Sequence, residues 1–499
     1  MTRENIGHVL TLDLGSSGLR AVVVSPEYRI VSEVKRPYHI YRSSGHAEHF
    51  TPADLRRRVL DCLASAVRAA TVAPNAISRI SITAQRGGTA FLDAHGATLY
   101  AGPNTDVRAV FEGAAIDDQL AAEVYAITGH LPSMFLAPAK LHWWHAHQPR
   151  RARRIATVAS LGSWAAHQLT GDLGETPSTL VEAGLANVTT GHPAVALLAR
   201  LGVSLDALPN VVSEGAVVGT LGRESADTMG LRIGTPVALA GPDAQITALG
   251  AGSVRPGDTT VIAGWSAPVQ RVTAIPTFDA ARRTWAGRHA VDSCWILEAN
   301  PGDTGRTLET VRRMLGPRMS LERFDRLAAG APERELPIVA AWGPRALDMS
   351  NPGMSLGGLI APSPITYEGI DAGAVARATL ENIAFAIREC LALLDEVAGG
   401  SAGGYALTLT GGMANSSTFA SVLAAAVGRP VRVQSPRAAA IGAALVSTLA
   451  ASDIGAAADQ IASQAVDVTP SHTGARDATE RYERWLHVRR ALDQLAVGL

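Results

Sequence analysis

Leu12-Asp13-Leu14-Gly15-Ser16-Ser17-Gly18-Leu19-Arg20 is the stretch of this sequence that decides the fold. An apolar strand carries Asp13 to its end, and two glycines with two serines then form a tight turn. Backbone N–H groups in such a turn can hold a phosphate, and a carboxylate suits a hard cation such as Mg²⁺. A plain hairpin turn with a capping aspartate explains the same residues. The stretch therefore predicts either an anion-binding hairpin or an ordinary one.

Strands and helices alternate on both sides of this turn. In the first half, the patterns predict strands over 8–13, 20–24, 30–34 and 77–82, and helices from Pro52, over 133–147 and over 161–169. The pattern restarts near residue 236, with predicted strands over 236–240, 258–263, 405–409 and 430–433 and helices over 244–252, 372–397, 415–427, 437–450 and 476–495. Two successive α/β halves predict two α/β domains flanking a central cleft.

Composition excludes several classes of protein. The chain has 499 residues, 47% hydrophobic residues and a net charge of −1, so it can bury large cores and shows no basic surplus for nucleic acid. The longest weakly polar stretch, 438–452, is too short to span a bilayer. Three scattered cysteines favour a reducing compartment. We therefore expect a cytoplasmic protein without nucleic-acid or membrane partners, and a homodimer stays open.

Lysine is scarce. Only Lys35 and Lys140 occur among the 44 basic residues, and neither stands in a Gly-Lys-Ser/Thr context. This excludes a Walker A phosphate loop. Any nucleotide chemistry must then use glycine turns and carboxylates.

Two further segments run from a strand into glycines and a helix start. Ala240-Gly241-Pro242-Asp243-Ala244-Gln245 ends a strand and opens a helix with Asp243, which is either a helix cap or a base that accepts a proton from a substrate hydroxyl. Leu409-Thr410-Gly411-Gly412-Met413-Ala414-Asn415-Ser416 runs from a buried strand into two glycines and a helix capped by Asn415 or Ser416. Glycines there permit flat contact with a nucleobase or ribose, although a tight turn explains them too.

These three segments, in this order, resemble the FGGY carbohydrate kinases, members of the actin/hexokinase/Hsp70-like ATPase superfamily. The resemblance extends to Ala84-Gln85-Arg86-Gly87-Gly88, Asn104-Thr105-Asp106-Val107-Arg108, Gly45-His46-Ala47-Glu48 and the segment from Pro430 to Ala444. It implies two ribonuclease-H-like (actin-like ATPase) domains, with sugar bound by residues 1–240 and ATP by residues 241–499. It also implies ATP and Mg²⁺ as cofactors.

The resemblance assigns roles residue by residue. Asp243 would be the general base and contact the substrate, and Asp13 would face Mg²⁺ and phosphate. The other implied contacts are Gly15, Ser16 and Ser17 in the first phosphate turn; Gly264 and Ser266 in the second; Gly411, Gly412 and Asn415 at the adenine and ribose; and Gln85, Arg86 and Asp106 at the sugar.

Three positions depart from the family pattern. The second phosphate motif usually has Gly-Thr, but here Trp265 follows Gly264. Arg437 stands where many relatives have glutamate. Arg86-Gly87 replaces the Met-His common in xylulose kinases and is more similar to glycerol or autoinducer-2 kinases.

These features give an ordered set of functions. The first expectation is an ATP-dependent kinase for a primary hydroxyl of a small ketose or polyol, with a pentulose such as xylulose placed first. Autoinducer-2 and glycerol-like polyols come next. A hypothesis of another class, motivated by Trp265 and Arg437, is a catalytically weak regulator that binds sugar and nucleotide.

Overall fold

The computed structural model of the protein describes residues 7–43, 46–331, 338–350, 355–361, 370–400 and 407–496. Gly45 and the first two residues of the predicted strand 405–409 lie outside the described residues. The chain divides into two compact units. Unit 1 takes residues up to Val254 together with Thr273–Ile296 and Ala438–Gln460, and unit 2 takes Arg255–Val272, Leu297–Arg437 and the residues from Ile461.

The elements before residue 255 belong to unit 1. Its strands there are β1 (His8–Gly15), β2 (Gly18–Val24), β3 (Ile30–Arg36), β4 (Tyr41–Arg42), β5 (Glu48–His49), β6 (Ile77–Ala84), β7 (Thr89–Leu92), β8 (Thr98–Gly102), β9 (Thr157–Ser160), β10 (Val217–Thr220) and β11 (Pro236–Pro242). Its helices there are α1 (Pro52–Ala69), α2 (Val110–Thr128), α3 (Ala137–His147), α4 (Pro149–Ala152), α5 (Leu161–Thr170), α6 (Pro177–Glu182), α7 (Val195–Arg200), α8 (Arg223–Met229) and α9 (Asp243–Gly250).

The remaining elements follow in chain order. The strands are β12 (Thr259–Ile262), β13 (Val269–Thr273), β14 (Trp285–Arg288), β15 (Trp295–Ala299), β16 (Val339–Ala340), β17 (Leu359–Ile360), β18 (Leu407–Thr410), β19 (Val431–Val433) and β20 (Val466–Val468). The helices are α10 (Thr304–Leu315), α11 (Leu321–Gly330), α12 (Ala372–Ala398), α13 (Ser417–Val427), α14 (Ala438–Thr448), α15 (Ala451–Ala462) and α16 (His472–Ala496).

The main sheet of unit 1 has the strand order β10-β11-β6-β1-β2-β3. Strands β11, β6 and β1 run parallel, and β1 and β2 form an antiparallel hairpin that closes at Gly15 and Gly18. Alternate β1 side chains point to opposite faces of the sheet, so Leu10, Leu12 and Leu14 pack in the core that includes α1. Val9 packs instead with residues of α14. The predicted hairpin and its flanking strands are confirmed.

The sheet of unit 2 repeats this plan. Strands β13, β12, β18, β19 and β20 are neighbours in that order. Again an antiparallel hairpin, β12–β13, is followed by parallel strands, β18 and β19. Helices α12, α13 and α16 cover this sheet, and Trp485 of α16 is buried in the same core.

Two predicted helix starts need correction. Asp243 is the first residue of α9, and Pro242 occupies the N-cap position. Ser416, not Asn415, caps α13, because its Oγ atom accepts a hydrogen bond from the N–H of Phe419 at 2.8 Å. Within the described part of the chain, no helix has the length and apolar character needed to cross a bilayer.

Candidate active site

Asp13 lies near the end of β1, directly before the hairpin turn. Its Oδ1 atom has no hydrogen-bond partner among the described residues. Burial raises the pKa of Asp13 to about 6, against the opposing charge of Arg20. An oxygen of this kind, held by a rigid strand and left without a donor, fits a ligand for a hard cation.

The turn after Asp13 is held from outside by two amide side chains. The Nδ2 atom of Asn104 donates to the Ser16 hydroxyl at 3.1 Å, and Gln85 Nε2 donates to the carbonyl of Gly15 at 3.4 Å. Gln85 Oε1 in turn accepts from the backbone N–H of Asn104 at 2.9 Å. Gln85 therefore positions the turn, and Ser17 at its tip is exposed.

Asp243 lies at the start of α9, after the parallel strand β11. Its Oδ1 atom accepts the N–H of Ala244 at 2.9 Å, and the backbone N–H of Arg86 also donates to the carboxyl group. Burial and the charge of Asp13 raise the pKa of Asp243 to about 7, while Arg86 opposes that shift. A carboxylate with a pKa near neutrality is suited to take a proton from a hydroxyl.

The Arg86 side chain belongs to a buried polar cluster in unit 1. Its guanidinium lies 5.2 Å from the centre of the Trp285 ring and 3.5 Å from Glu182 Oε2. Glu182 Oε2 also lies 3.1 Å from His130 Nε2, and Gln245 Nε2 donates to Glu182 Oε1. Gln245 Oε1 is buried without a partner among the described residues, so it can accept a hydrogen bond from a ligand.

Asp106 lies in different surroundings. Its carboxylate is fully buried and accepts from Arg108 Nε at 2.7 Å, from the N–H of Glu48 at 3.0 Å and from the Tyr100 hydroxyl. These donors occupy both oxygens. A contact between Asp106 and a sugar stays a prediction, and this geometry favours a structural role.

In unit 2, the predicted second phosphate motif lies in the loop between β12 and β13. The Gly264 N–H donates to the Ser266 carbonyl at 2.8 Å, which closes a tight turn. The Trp265 carbonyl accepts from the N–H groups of Gly305 at 3.0 Å and Arg306 at 3.3 Å, at the start of α10. The loop is therefore fixed against that helix, and the Trp265 ring is 40% exposed.

The Gly411–Asn415 segment follows β18 as a 3₁₀ turn. Gly411 has φ of +91°, and a Cβ there would lie 2.6 Å from the Ala263 carbonyl oxygen, so the turn requires glycine. Asn415 Nδ2 donates to the Gly412 carbonyl at 2.9 Å. The Met413 N–H donates to the Ala263 carbonyl at 2.9 Å, which holds the turn beside the end of β12.

A cavity of about 670 Å³ opens beside these segments, within unit 2. Gly264, Gly412 and Asn415 line it, as does Trp265. The remaining lining residues come mainly from α10, α11 and the turn before α13: Gly305, Leu308, Glu309, Leu321, Glu322, Phe324, Asp325, Arg326, Leu380, Met413, Ser416 and Phe419. Its volume is in the range of small-molecule sites.

Several residues of the Arg86 cluster and of the unit 2 cavity could not be predicted from the sequence. Glu182, His130 and Trp285 stand in no motif, and only Gln245 was part of a quoted segment. The helices that line the unit 2 cavity gave no chemical signal either. For Gln245, the only local signal in the sequence is its position two residues after Asp243.

Two sheets of one topology, one with paired carboxylates and the other with a glycine-turn cavity, are typical of the actin-like ATPase fold. The chain belongs to the FGGY family of carbohydrate kinases. Residues 8–250 match the N-terminal domain of that family and residues 299–451 match its C-terminal domain.

Individual relatives agree with this assignment. A Bacillus subtilis protein, YoaC, whose name describes a sugar kinase, is 26% identical over 78% of each chain. The autoinducer-2 kinase of Escherichia coli K12 is 28% identical over 62% of this chain, and the match spans 59% of that protein.

Solved structures share the fold. The xylulose kinase of Rhodospirillum rubrum is similar with a TM-score of 0.81 and 24% identity, over 98% of this chain and 99% of that one. The glycerol kinase of Plasmodium falciparum, solved with ADP, gives a TM-score of 0.82 at 14% identity, over 97% and 98%. The expected fold is confirmed.

The family also fixes the class of reaction. FGGY carbohydrate kinases are ATP-dependent phosphotransferases that act on sugar hydroxyls, generally with Mg²⁺. This protein is therefore a kinase of small sugars, as the sequence predicts.

Proposed function

We propose that this kinase phosphorylates a primary hydroxyl of a small, uncharged ketose or polyol, with a pentulose such as xylulose placed first. Unit 1 binds the sugar and unit 2 binds ATP. The observation that carries the proposal is the placement of Asp243 beside Asp13 and the Arg86 backbone, with a pKa raised to about 7 by burial and by Asp13.

Asp243 accepts the proton of the attacking hydroxyl as the new O–P bond forms, while the bond from the γ-phosphorus to the bridging oxygen of ATP breaks and ADP leaves. Two acceptors in the same unit, Gln245 Oε1 and Asn104 Oδ1, are buried without partners among the described residues. Unpartnered buried acceptors cost free energy, and hydroxyl groups of a polyol would satisfy them. A ligand rich in hydroxyls therefore suits unit 1.

Asp13 is the residue that would hold Mg²⁺, because its Oδ1 atom is buried and has no donor among the described residues. Mg²⁺, when bound, neutralises the charge of the transferred phosphoryl group. The backbone of Gly15, Ser16 and Ser17 follows Asp13 in a tight hairpin and orients the phosphate. Asn104 and Gln85 keep that turn in place.

ATP binding is assigned to the unit 2 cavity. Gly412 and Asn415 line the cavity in the turn that Gly411 precedes, which would contact the adenine and ribose. Gly264 lines it in the loop that also contains Ser266, which would contact the phosphates. The family supports this division, since it pairs an N-terminal and a C-terminal domain. The xylulose kinase and autoinducer-2 kinase names among the relatives support small pentulose-like substrates, with autoinducer-2 and glycerol-like polyols next.

A coupled assay of ADP release tests the proposal. Xylulose, ribulose, glycerol and the linear autoinducer-2 precursor are supplied with ATP and Mg²⁺, and Asp243→Ala provides the background. Turnover with at least one of these compounds, well above that background, is the expected result. Release no faster than the background with all of them would contradict the proposal.

One observation supports a second candidate function. Trp265 occupies a lining position of the unit 2 cavity where the family usually has a hydroxyl side chain. A catalytically weak regulator would bind sugar and ATP in calorimetry but release ADP no faster than Asp243→Ala. The same assay, combined with binding measurements, separates the two functions.

A further inference from the structure

Glu182 is a buried carboxylate that the proposed reaction does not use. It is the last residue of α6 and only 4% exposed. Its oxygens face His130 at 3.1 Å, Arg86 at 3.5 Å and the amide of Gln245. Such a fully contacted charge, in the cluster that contains the Arg86 side chain, is costly to bury and calls for an explanation.

The charge of Glu182 is retained in the fold. Burial alone would raise the pKa of Glu182, but the charges of His130 and Arg86 and the donors around it outweigh burial and lower that pKa. Glu182 is therefore an anion throughout the neutral range.

The backbone leaves room for this anion. A Cβ at Gly287 of β14 would lie 2.8 Å from Glu182 Oε1 and 3.3 Å from Gln245 Nε2, so any side chain there would displace the pair. Trp285, two residues earlier on the same strand, lies against Arg86 and, with ring centres 5.2 Å apart, against His130. Strand β14 thus closes one side of the cluster.

Glu182 is connected through Arg86 to Asp243, the proposed general base. Arg86 links the two, because its side chain faces Glu182 and its backbone N–H donates to Asp243. Gln245 is also shared, since its Nε2 atom binds Glu182 while its Oε1 atom has no partner among the described residues. The charge of Glu182 offsets the charge of Arg86, so a substrate that reaches Gln245 and Arg86 meets an ion pair with no net positive charge to hold a carboxylate.

We propose that Glu182 is a specificity-determining residue, which reserves the sugar site for uncharged polyhydroxylated substrates and rejects sugar acids. The inference rests on the proposed function and extends it to the charge of the substrate. Glu182 contacts other side chains here, so it acts by its charge and by positioning Arg86 and Gln245.

The test replaces the charge and keeps the shape. In Glu182→Gln, the ratio of kcat/KM for a five-carbon aldonate to kcat/KM for the best neutral substrate should rise at least tenfold. Glu175→Gln is the control for the loss of a buried carboxyl without a fixed charge, because Glu175 accepts from the backbone N–H of Ser160 at 3.0 Å and burial raises its pKa to about 7. That control should leave the ratio within twofold of the wild-type value.

A double variant checks that charge is the cause. In Arg86→Gln/Glu182→Gln one charge of each sign is lost, so the ratio should return toward the wild-type value even if overall turnover falls. A ratio unchanged in Glu182→Gln, or a double variant as permissive as the single one, would overturn the inference.

A measurement on the wild-type protein needs no variant to fold. A pentonate and its pentonamide have nearly the same shape, but the first ends in a charged carboxylate and the second in a neutral amide. Their inhibition constants against the best neutral substrate are compared. At least tenfold weaker inhibition by the pentonate is expected, and equal constants would contradict the role of Glu182. Failure of the proposed function shows differently, as an absence of turnover with every neutral sugar.

Discussion

The guanidinium of Arg306 lies over the ring of Trp265, 5.4 Å from its centre. The contact belongs to unit 2, at the loop where the family pattern would place Gly-Thr. Arg306 also lies 3.2 Å from Asp303, which directly precedes α10. The tryptophan thus brings a positive charge to the edge of the unit 2 cavity, at the position where the family usually has a hydroxyl side chain.

We expect Arg306→Gln to raise the KM for ATP about threefold and to leave the KM for the sugar unchanged. The size follows from the partial exposure of Arg306, because exposed charge pairs contribute at most about 1 kcal/mol. Initial rates at varied ATP measure it.

Arg313→Gln is the control on the same helix, since Arg313 pairs with Glu309 and is more exposed. Equal KM values for ATP in the two variants would show that Arg306 has no special place at the cavity.

Asp243→Asn should lower kcat by about 10²- to 10⁴-fold, the usual contribution of a general base. Sugar binding should change little, because the amide has nearly the shape of the carboxylate and its oxygen can still accept the N–H of Ala244. Steady-state kinetics and calorimetry with the sugar measure the two effects separately. A variant with near-normal turnover would reduce Asp243 to a residue that merely begins α9.

The activity should depend on pH near neutrality. Burial and the neighbouring Asp13 raise the pKa of Asp243 to about 7, so protonation removes the base as the pH falls below that value. We expect kcat/KM for the sugar to decline from pH 8 to 5.5, approaching a tenfold loss per unit on the acid side. Thermal denaturation at each pH provides the check that the fold persists.

The charge of Arg86 lowers the pKa of Asp243, so removing that charge should raise the pKa further. In Arg86→Met the acid limb should move to higher pH, whatever the loss in overall rate. A limb that stays in place, or a flat wild-type profile, would mean that another step sets the pH dependence.

Gly411→Ala should destabilise the protein by about 1–3 kcal/mol, since the residue has φ of +91° and its Cβ would lie 2.6 Å from the Ala263 carbonyl oxygen. Gly412→Ala is a close control, because a Cβ there meets no atom within 4 Å. Chemical denaturation of both variants measures the difference. Equal free energies of unfolding would show that the turn adjusts without strain.

Local sequence patterns predict those parts of the candidate site whose residues lie in a single segment of the chain. Three segments consist of a strand followed directly by a turn or a helix, and the structure contains all three. They are the hairpin at Gly15, the helix that begins at Asp243 and the glycine turn at Gly411. Strand alternation and helical spacing are short-range signals, so they survive without knowledge of the tertiary fold.

The Arg86 cluster could not be obtained in this way. His130, Glu182 and Trp285 come from three separate segments, and Trp285 stands in the second half of the sequence although it packs in unit 1. No periodicity relates such residues. Asp106 illustrates the converse, because a motif position gave it a ligand role while its buried contacts with Arg108 and Tyr100 depend on the tertiary structure.

The return of α14 to unit 1 has a consequence for biosynthesis. This helix covers Val9 and Val22 with Ala440 and Ala444, and the Ser81 hydroxyl of β6 donates to the Ala443 carbonyl at 2.8 Å. At about 5–20 residues per second, α14 leaves the ribosome roughly 10–40 s after the first 254 residues. During that interval Val9 and Val22 lack the cover that Ala440 and Ala444 provide, so we expect this apolar part of the first sheet to stay exposed until α14 is synthesised.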